Sequence, residues 1–202
     1  MIIDQSEQGT PEWYQARTAV ITASKFSACL MGSNTKGRMD YMIEKATERL
    51  TGSPVDGGYL SYDMRIGMER EPEARDYYTL LTHQPVVQAG VCYVNELKII
   101  GASVDGFVGE DGLIEIKCPR LTTHVNTMLY GAMPTTYTNQ VQGQMWVTGR
   151  KWCDFFSYNP DSHKMFFVVR VMRDEEYIKE LSAAVYQFYG ELEILTEKMR
   201  NL

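Results

Sequence analysis

The run Ser103-Val104-Asp105-Gly106, followed by Leu113-Ile114-Glu115-Ile116-Lys117-Cys118-Pro119, constrains this chain more than any other stretch. It reads as a β-hairpin with Glu110-Asp111-Gly112 as its turn and Pro119 as its stop. Strand side chains alternate, so Glu115 and Lys117 project to one side while Ile114 and Ile116 enter a core. Asp105, on the partner strand, approaches Glu115. Two carboxylates and a lysine among apolar residues are costly to bury for stability alone. A divalent cation removes the repulsion between the acids, and hard oxygen ligands of this kind suit Mg²⁺. The competing reading is an ordinary salt-bridged strand face.

The 202 residues, 44% hydrophobic, suffice for one core and a single domain spanning 1–202. No run approaches the roughly 20 apolar residues of a membrane span, and Met1-Ile2-Ile3-Asp4 is not a signal peptide, so the expectation is a soluble cytoplasmic protein without membrane contact. Cys29, Cys92, Cys118 and Cys153 contain no Cys-x-x-Cys pair; they read as reduced core residues, with a cluster held by all four as the alternative. The net charge of −6 weighs against a nucleic-acid partner unless an acidic exterior is segregated from a basic groove.

Along the chain, Thr10-Pro11-Glu12 starts a helix that runs to about Arg17. A second short helix spans Lys25 to Met31 and closes at Gly32. Ser24 either caps that helix or, with the free N–H groups and Arg17, holds a phosphate; Arg17 is otherwise a surface ion pair. Gly32 to Arg38 reads as a polar loop whose Lys36 and Arg38 are solvated or touch a DNA backbone. Helices follow over Asp40–Leu50 and Ser61–Leu81, joined by a turn-rich connector from Ser53 to Gly58, and Pro72 kinks or divides the second helix at Glu71. From Pro85 the period becomes that of strands: Val86–Val87, Val91–Val94, Lys98–Gly101, Val104–Val108 and Leu113–Lys117. Two helices come next, Thr122–Tyr130 and Thr135–Val147. On the second, Gln140 and Gln144 share a face and Gln142 points elsewhere. Strands over Trp152–Tyr158 and Met165–Met172 precede a closing helix capped by Asp174. This order fits an α/β mixed sheet with helices on both faces.

Hydrolysis of a phosphodiester needs an activated water and a stabilised leaving oxygen, which two Mg²⁺ ions held by several carboxylates supply. Asp105 and Glu115 would be the shared ligands, Glu71 and the Ile116 carbonyl further ones. Lys117 would orient or deprotonate the water.

At these residues the chain resembles the PD-(D/E)XK nucleases in their phage lambda exonuclease (YqaJ-type viral recombinase) version. Besides the hairpin, Trp13-Tyr14-Gln15-Ala16-Arg17 with Ile21-Thr22-Ala23-Ser24 is similar to the family's N-terminal motif. Gly67-Met68-Glu69-Arg70-Glu71 is similar to its Gly-x-x-x-Glu helix, Gln140 to Thr148 to its glutamine helix, and Tyr158-Asn159-Pro160-Asp161 to the strand end that follows. The resemblance implies a restriction-endonuclease-like core with a central mixed β-sheet flanked by helices. It implies a Mg²⁺-dependent 5′→3′ exonuclease, with two ions per site and Mn²⁺ as a substitute, acting on double-stranded DNA ends. Such an enzyme leaves a 3′ single strand for a single-strand annealing protein, works as a homotrimeric ring, and is phage or prophage encoded in a bacterial cytoplasm. By motif, Asp105 and Glu115 are metal ligands, Lys117 the catalytic lysine, Glu71 a second-metal or water-positioning acid, and Gln140 a support of the network. Arg17, Ser24 and Ser103 resemble a pocket for the 5′-phosphate. Arg120 lies near the place of a phosphate-binding basic residue, and Met64 near that of a wedge that splits the end base pair. Two other readings are a non-catalytic DNA-end-binding protein on a nuclease fold and an endonuclease or nickase.

Overall fold

The computed structural model describes residues 1–55 and 61–202. In chain order the elements are β1 (Ile2–Ile3), α1 (Pro11–Arg17), β2 (Ile21–Thr22), α2 (Phe26–Leu30), α3 (Lys36–Thr51), α4 (Tyr62–Thr82), β3 (Val86–Val87), β4 (Val91–Tyr93), β5 (Ile100–Ser103), β6 (Gly106–Val108), β7 (Gly112–Lys117), α5 (Leu121–Tyr130), α6 (Thr138–Thr148), β8 (Trp152–Tyr158), β9 (Phe166–Met172) and α7 (Glu175–Arg200). Single 3-10 turns at Ala23–Lys25 and Thr135–Tyr137 lead into α2 and α6.

The boundaries follow local chemistry. Hydroxyls of Thr10 and Ser61 and the Asp174 carboxylate accept from the third residue of α1, α4 and α7 respectively. Gly52, Gly131 and Gly149 end α3, α5 and α6 in the left-handed conformation that favours glycine. Gly32 does not close α2, which ends at Met31 in extended backbone, and Ser24 makes no capping bond. The segment read as a loop from Gly32 to Arg38 is already helical from Lys36. Of the connector Ser53–Gly58, residues 56–58 lie outside the described residues.

Helix α4 runs through Pro72 without division at Glu71. The proline removes one donor, a cost of about 3 kcal/mol in a helix interior. Met68, whose carbonyl loses that partner, lines an open cleft where water reaches it. The helix is held from its other side by buried Ala74 and Tyr78.

The expected mixed sheet with helices on both faces is present, divided into two pieces. One has the order β1-β4-β5-β2, with β2 parallel to β5; the other has the order β3-β6-β7-β8-β9, with β7 parallel to β8. The chain crosses between them at Val104-Asp105, so Asp105 is not inside the partner strand but in the link from β5 to β6. The hairpin itself pairs Val108 with Gly112, so its turn is Gly109-Glu110-Asp111, and Gly109, not Gly112, takes the positive φ of 55°. Gly112 is required for space instead: a Cβ there would sit 2.2 Å from the Trp152 ring.

Alternation along β7 separates two cores. Ile114 and Ile116 pack with Ala74 and Tyr78 of α4 and with Phe156 and Tyr158 of β8. Leu113 faces the larger core with Val141 and Met145 of α6 and Leu181, Val185 and Phe188 of α7. Each such fully buried side chain contributes about 2 kcal/mol. Helix α6 sits close against the Ala23–Lys25 turn because Gly143 has no side chain; a Cβ would lie 2.5 Å from the Phe26 ring. That approach places the glutamine face of α6 over β7.

Candidate active site

Glu115 is fully buried, and both its carboxylate oxygens are held by polar partners. Gln140 Nε2 donates to its Oε1 and Gln144 Nε2 to its Oε2, both at 2.6 Å, and Lys117 Nζ pairs with Oε1. One helical turn separates the two glutamines, so a single face of α6 delivers both. Gln142 points away and bonds the Met172 carbonyl and the Asp174 N–H. Lys117 also lies 5.1 Å over the Tyr137 ring.

Asp105 is pinned by the Ile116 N–H, which donates to Oδ2 at 2.6 Å. Its other oxygen makes no hydrogen bond among the described residues. Glu71 pairs through Oε1 with Arg75, one turn further along α4. Burial, reinforced by the Glu115 charge, pushes the Asp105 carboxyl well above the usual aspartate range, and Glu71 is raised by burial and Glu115 against the pull of Arg75. Burial pulls Lys117 the other way, but the Glu115 and Asp105 charges outweigh it and hold the ammonium above its ordinary range. Three acids, from α4, the β5–β6 link and β7, thus lie close together with only Lys117 and Arg75 in direct ion pairs among the described residues.

Arg17 donates from Nη1 to Ser103 Oγ at 2.7 Å and stacks 4.4 Å from the Trp13 ring. Among the described residues no carboxylate pairs with it, so it is not a surface ion pair; burial of this unneutralised guanidinium lowers its affinity for its proton. Ser24 reaches only the Thr22 hydroxyl, 3.3 Å away.

Arg17, Ser24 and Ser103 line the same cleft as Glu71, Asp105, Glu115, Ile116, Lys117 and Gln140. At about 1410 Å³ it exceeds the ~300–1,000 Å³ of ordinary small-ligand pockets. Met64 stands exposed at its rim, as does Arg120, which pairs with Asp63 at 2.6 Å. Six acids and six bases line it, so the cleft is balanced although the chain carries −6. Lys36 lies outside it. Arg38 is no DNA contact: it is 4% exposed, pairs with Glu191 at 2.7 Å and stacks on Phe188. Its position one turn into α3 turns it toward α7. Sequence reasoning missed Arg75, placed Gln144 on the face of Gln140 without giving it a site role, and missed Tyr137. For the first two, the spacing of four from Glu71 and Gln140 was the available signal.

The cysteines are free, Cys118 alone partly exposed, and burial pushes its thiol up to about 12. Among the described residues no three His, Cys, Asp or Glu side chains converge closely enough to hold a metal ion as they stand. This excludes the four-cysteine cluster. Glu115 is bonded through both oxygens to amides and Lys117. The donor set nevertheless fits a hard divalent cation, because Asp105 and Glu71 each keep an oxygen without a hydrogen bond and both are destabilised as anions. No helix among the described residues is long and apolar enough to cross a membrane.

The model of the YqaJ-like viral recombinase domain matches residues 12–151. The crystal structure of an alkaline exonuclease (LHK-Exo) from Laribacter hongkongensis is similar with a TM-score of 0.87 and 37% identity, over 95% of this chain and 97% of that one. The same enzyme in complex with dAMP gives 0.88 at the same identity and coverage. A phage-related exonuclease from Haemophilus somnus 129PT shares the fold at 16% identity and a TM-score of 0.71, over 89% of this chain and 96% of that one. No curated protein sequence matches significantly. The motifs around Arg17, Glu71, Asp105, Lys117 and Gln140 all fall inside the matched region, and the chain belongs to the YqaJ-like viral recombinase family.

Proposed function

We propose that this chain is a single-domain deoxyribonuclease, residues 1–202, that degrades linear double-stranded DNA from 5′-phosphorylated ends in the 5′→3′ direction, with Mg²⁺ as cofactor. The observation that carries the reading is the shared cleft: an acid–lysine cluster at the β5–β6 link and β7 faces the same space as an arginine without a carboxylate partner. Similarity to an alkaline exonuclease supports the nuclease assignment, and the dAMP complex of that relative supports a nucleotide ligand.

Asp105, Glu115, Glu71 and the Ile116 carbonyl would hold the divalent ions, two per site, with Mn²⁺ able to substitute. Bound there, such ions would neutralise the carboxylates and would supply activation of water and stabilisation of the leaving oxygen. Lys117 orients the attacking water from Nζ. Gln140 and Gln144 keep the Glu115 carboxylate aimed between Lys117 and Asp105. Arg17, Ser24 and Ser103 take the terminal 5′-phosphate and so set the position of the scissile bond. Met64 and Arg120 meet the duplex at the rim. Divalent cations in an otherwise balanced cleft make it net positive, which reconciles a chain of net charge −6 with a polyanionic substrate. The product, a 3′ single strand, would pass to an annealing protein, and a homotrimeric ring around DNA in a bacterial cytoplasm would keep the enzyme on its track.

The test uses linear duplex with strand-specific 5′ and 3′ labels, with and without Mg²⁺. Expected is Mg²⁺-dependent loss of the 5′-labelled strand, abolished by Lys117→Ala. Cutting of closed circular DNA would replace the reading by an endonuclease. End binding without turnover would replace it by a non-catalytic end-binding protein.

A further inference from the structure

Arg75 was not among the residues that the motifs pointed to, yet it touches more of the acid cluster than any other base. It lies in α4 one turn after Glu71, largely buried, and its Nη2 pairs with Glu71 Oε1. Its Nε donates to the Asp105 backbone carbonyl at 3.3 Å. Its two terminal nitrogens reach the Gln88 amide oxygen at 3.1 Å when that amide is turned for hydrogen bonding. Three acceptors, from α4, the β5–β6 link and the β3–β4 link, therefore lock one planar guanidinium. A lysine, with a single ammonium, cannot span the three.

The arrangement leaves each acid half-anchored. Glu71 gives one oxygen to Arg75, and Asp105 gives one to the Ile116 N–H. The remaining oxygen of each makes no hydrogen bond among the described residues, and both residues line the cleft. The bond from Arg75 to the Asp105 carbonyl couples the two, because it ties α4 to the two-residue link where the sheets divide. Without it, no hydrogen bond among the described residues ties Glu71 and its helix to the Asp105 link.

We propose that Arg75 is the positioning residue of the metal site: it orients Glu71 and holds it in register with Asp105, so that their free oxygens face a divalent cation together. The inference rests on the metal-dependent reading above and deepens it. Arg75 acts through Glu71, with which it is paired.

The experiment titrates Mn²⁺ alone into the DNA-free protein by calorimetry, for the wild type, Arg75→Gln, Arg75→Lys, Glu71→Gln and the Glu71→Gln/Arg75→Gln pair. Circular dichroism confirms that each is folded, and Arg75→Lys serves where Arg75→Gln does not fold. Expected is a loss of Mn²⁺ affinity of about 10–100-fold in Arg75→Gln, the range for residues that orient metal ligands. Partial recovery is expected in Arg75→Lys, with no further loss when Arg75→Gln is added to Glu71→Gln. On DNA, kcat falls in Arg75→Gln with KM unchanged. Wild-type affinity in Arg75→Gln, or losses that add in the double variant, would overturn the inference while leaving the metal site intact. A wild type that binds no Mn²⁺ would overturn both.

Discussion

Two clusters of buried charge in this molecule have opposite bookkeeping. Between α3 and α7, Arg38 meets Glu191, and within α3 Lys45 meets both Glu44 and Glu48. Glu48 also accepts from the Ala19 N–H at 2.7 Å, where the backbone takes a positive φ of 63°. Arg38 and Lys45 also lie against the rings of Phe188 and Tyr41. Two cations meet three acids there as well, but each acid contacts a cation directly, at 2.6–3.0 Å, and the contacts serve the packing of two long helices. Asp105 of the cleft, by contrast, has no ion pair among the described residues. In the cleft, Glu71, Asp105 and Glu115 share Lys117 and Arg75, and Asp105 and Glu71 are raised by burial. The lesson is that burial of charge does not mark a site; a deficit of partners does.

Four substitutions sharpen or break this contrast. Lys117→Ala should lower the rate of duplex degradation by about 10²–10⁴-fold. Circular dichroism should show the fold retained, because Lys117 sits at the end of β7. A residual rate above a tenth of wild type would remove Lys117 from the chemistry.

Arg38→Ala should do the reverse. Removing one partner of a buried pair costs about 3–5 kcal/mol, discounted here to about 2 because Glu191 is 35% exposed. Urea unfolding should report that loss, while nucleotide release at a permissive temperature stays within about twofold, a surface-like effect. A changed salt dependence of DNA binding would return Arg38 to the substrate.

Next in size is the 5′-end preference. Wild type should degrade 5′-phosphorylated duplex about tenfold faster than 5′-hydroxyl duplex, a charge-assisted contact of about 1.4 kcal/mol. Arg17→Gln should erase the difference, and equal wild-type rates on both ends would remove the phosphate role.

The smallest effect concerns Asp105→Asn, which keeps an oxygen for the Ile116 N–H. The folded-state carboxyl of Asp105 is raised, so its stabilising contribution is complete below the unfolded value of about 3.9 and is lost as pH rises through the folded value. Metal-free Asp105→Asn should therefore equal wild type at acid pH and be the more stable protein near neutrality. Thermal melts across pH in a chelator would measure this, and a gap that narrows as pH rises would contradict the burial argument.

Much of the local structure was legible because it depends on neighbours in sequence. Thr10, Ser61 and Asp174 cap helices by their own side chains, Gly52 and Gly149 stop them, and the spacing of Gln140 and Gln144 placed both on one face. Where the readings departed, a distant packing partner decided. Lys36-Gly37-Arg38 has a polar, loop-like composition, but α3 extends over it because Arg38 finds Glu191, 153 residues away. Pro72 should divide α4, but the helix continues through it, anchored beyond the proline by buried Ala74 and Tyr78. Gly109, and not the Asp-Gly pair, took the turn because the Trp152 ring fills the space above Gly112.

By itself the sequence determined the chemistry available: which carboxylates, amides and cations exist, on which face of which helix or strand, and the family resemblance they carry. Only the tertiary structure decided how those charges are partnered. It put Asp105 at the link between two sheets, buried Glu115 beneath two glutamines, withdrew Arg38 into a helix interface and brought Arg75 between two acids. The reason is physical: helical and strand periodicities act over a few residues, whereas the cost of an unpartnered charge depends on whatever the fold brings within a few ångströms of it.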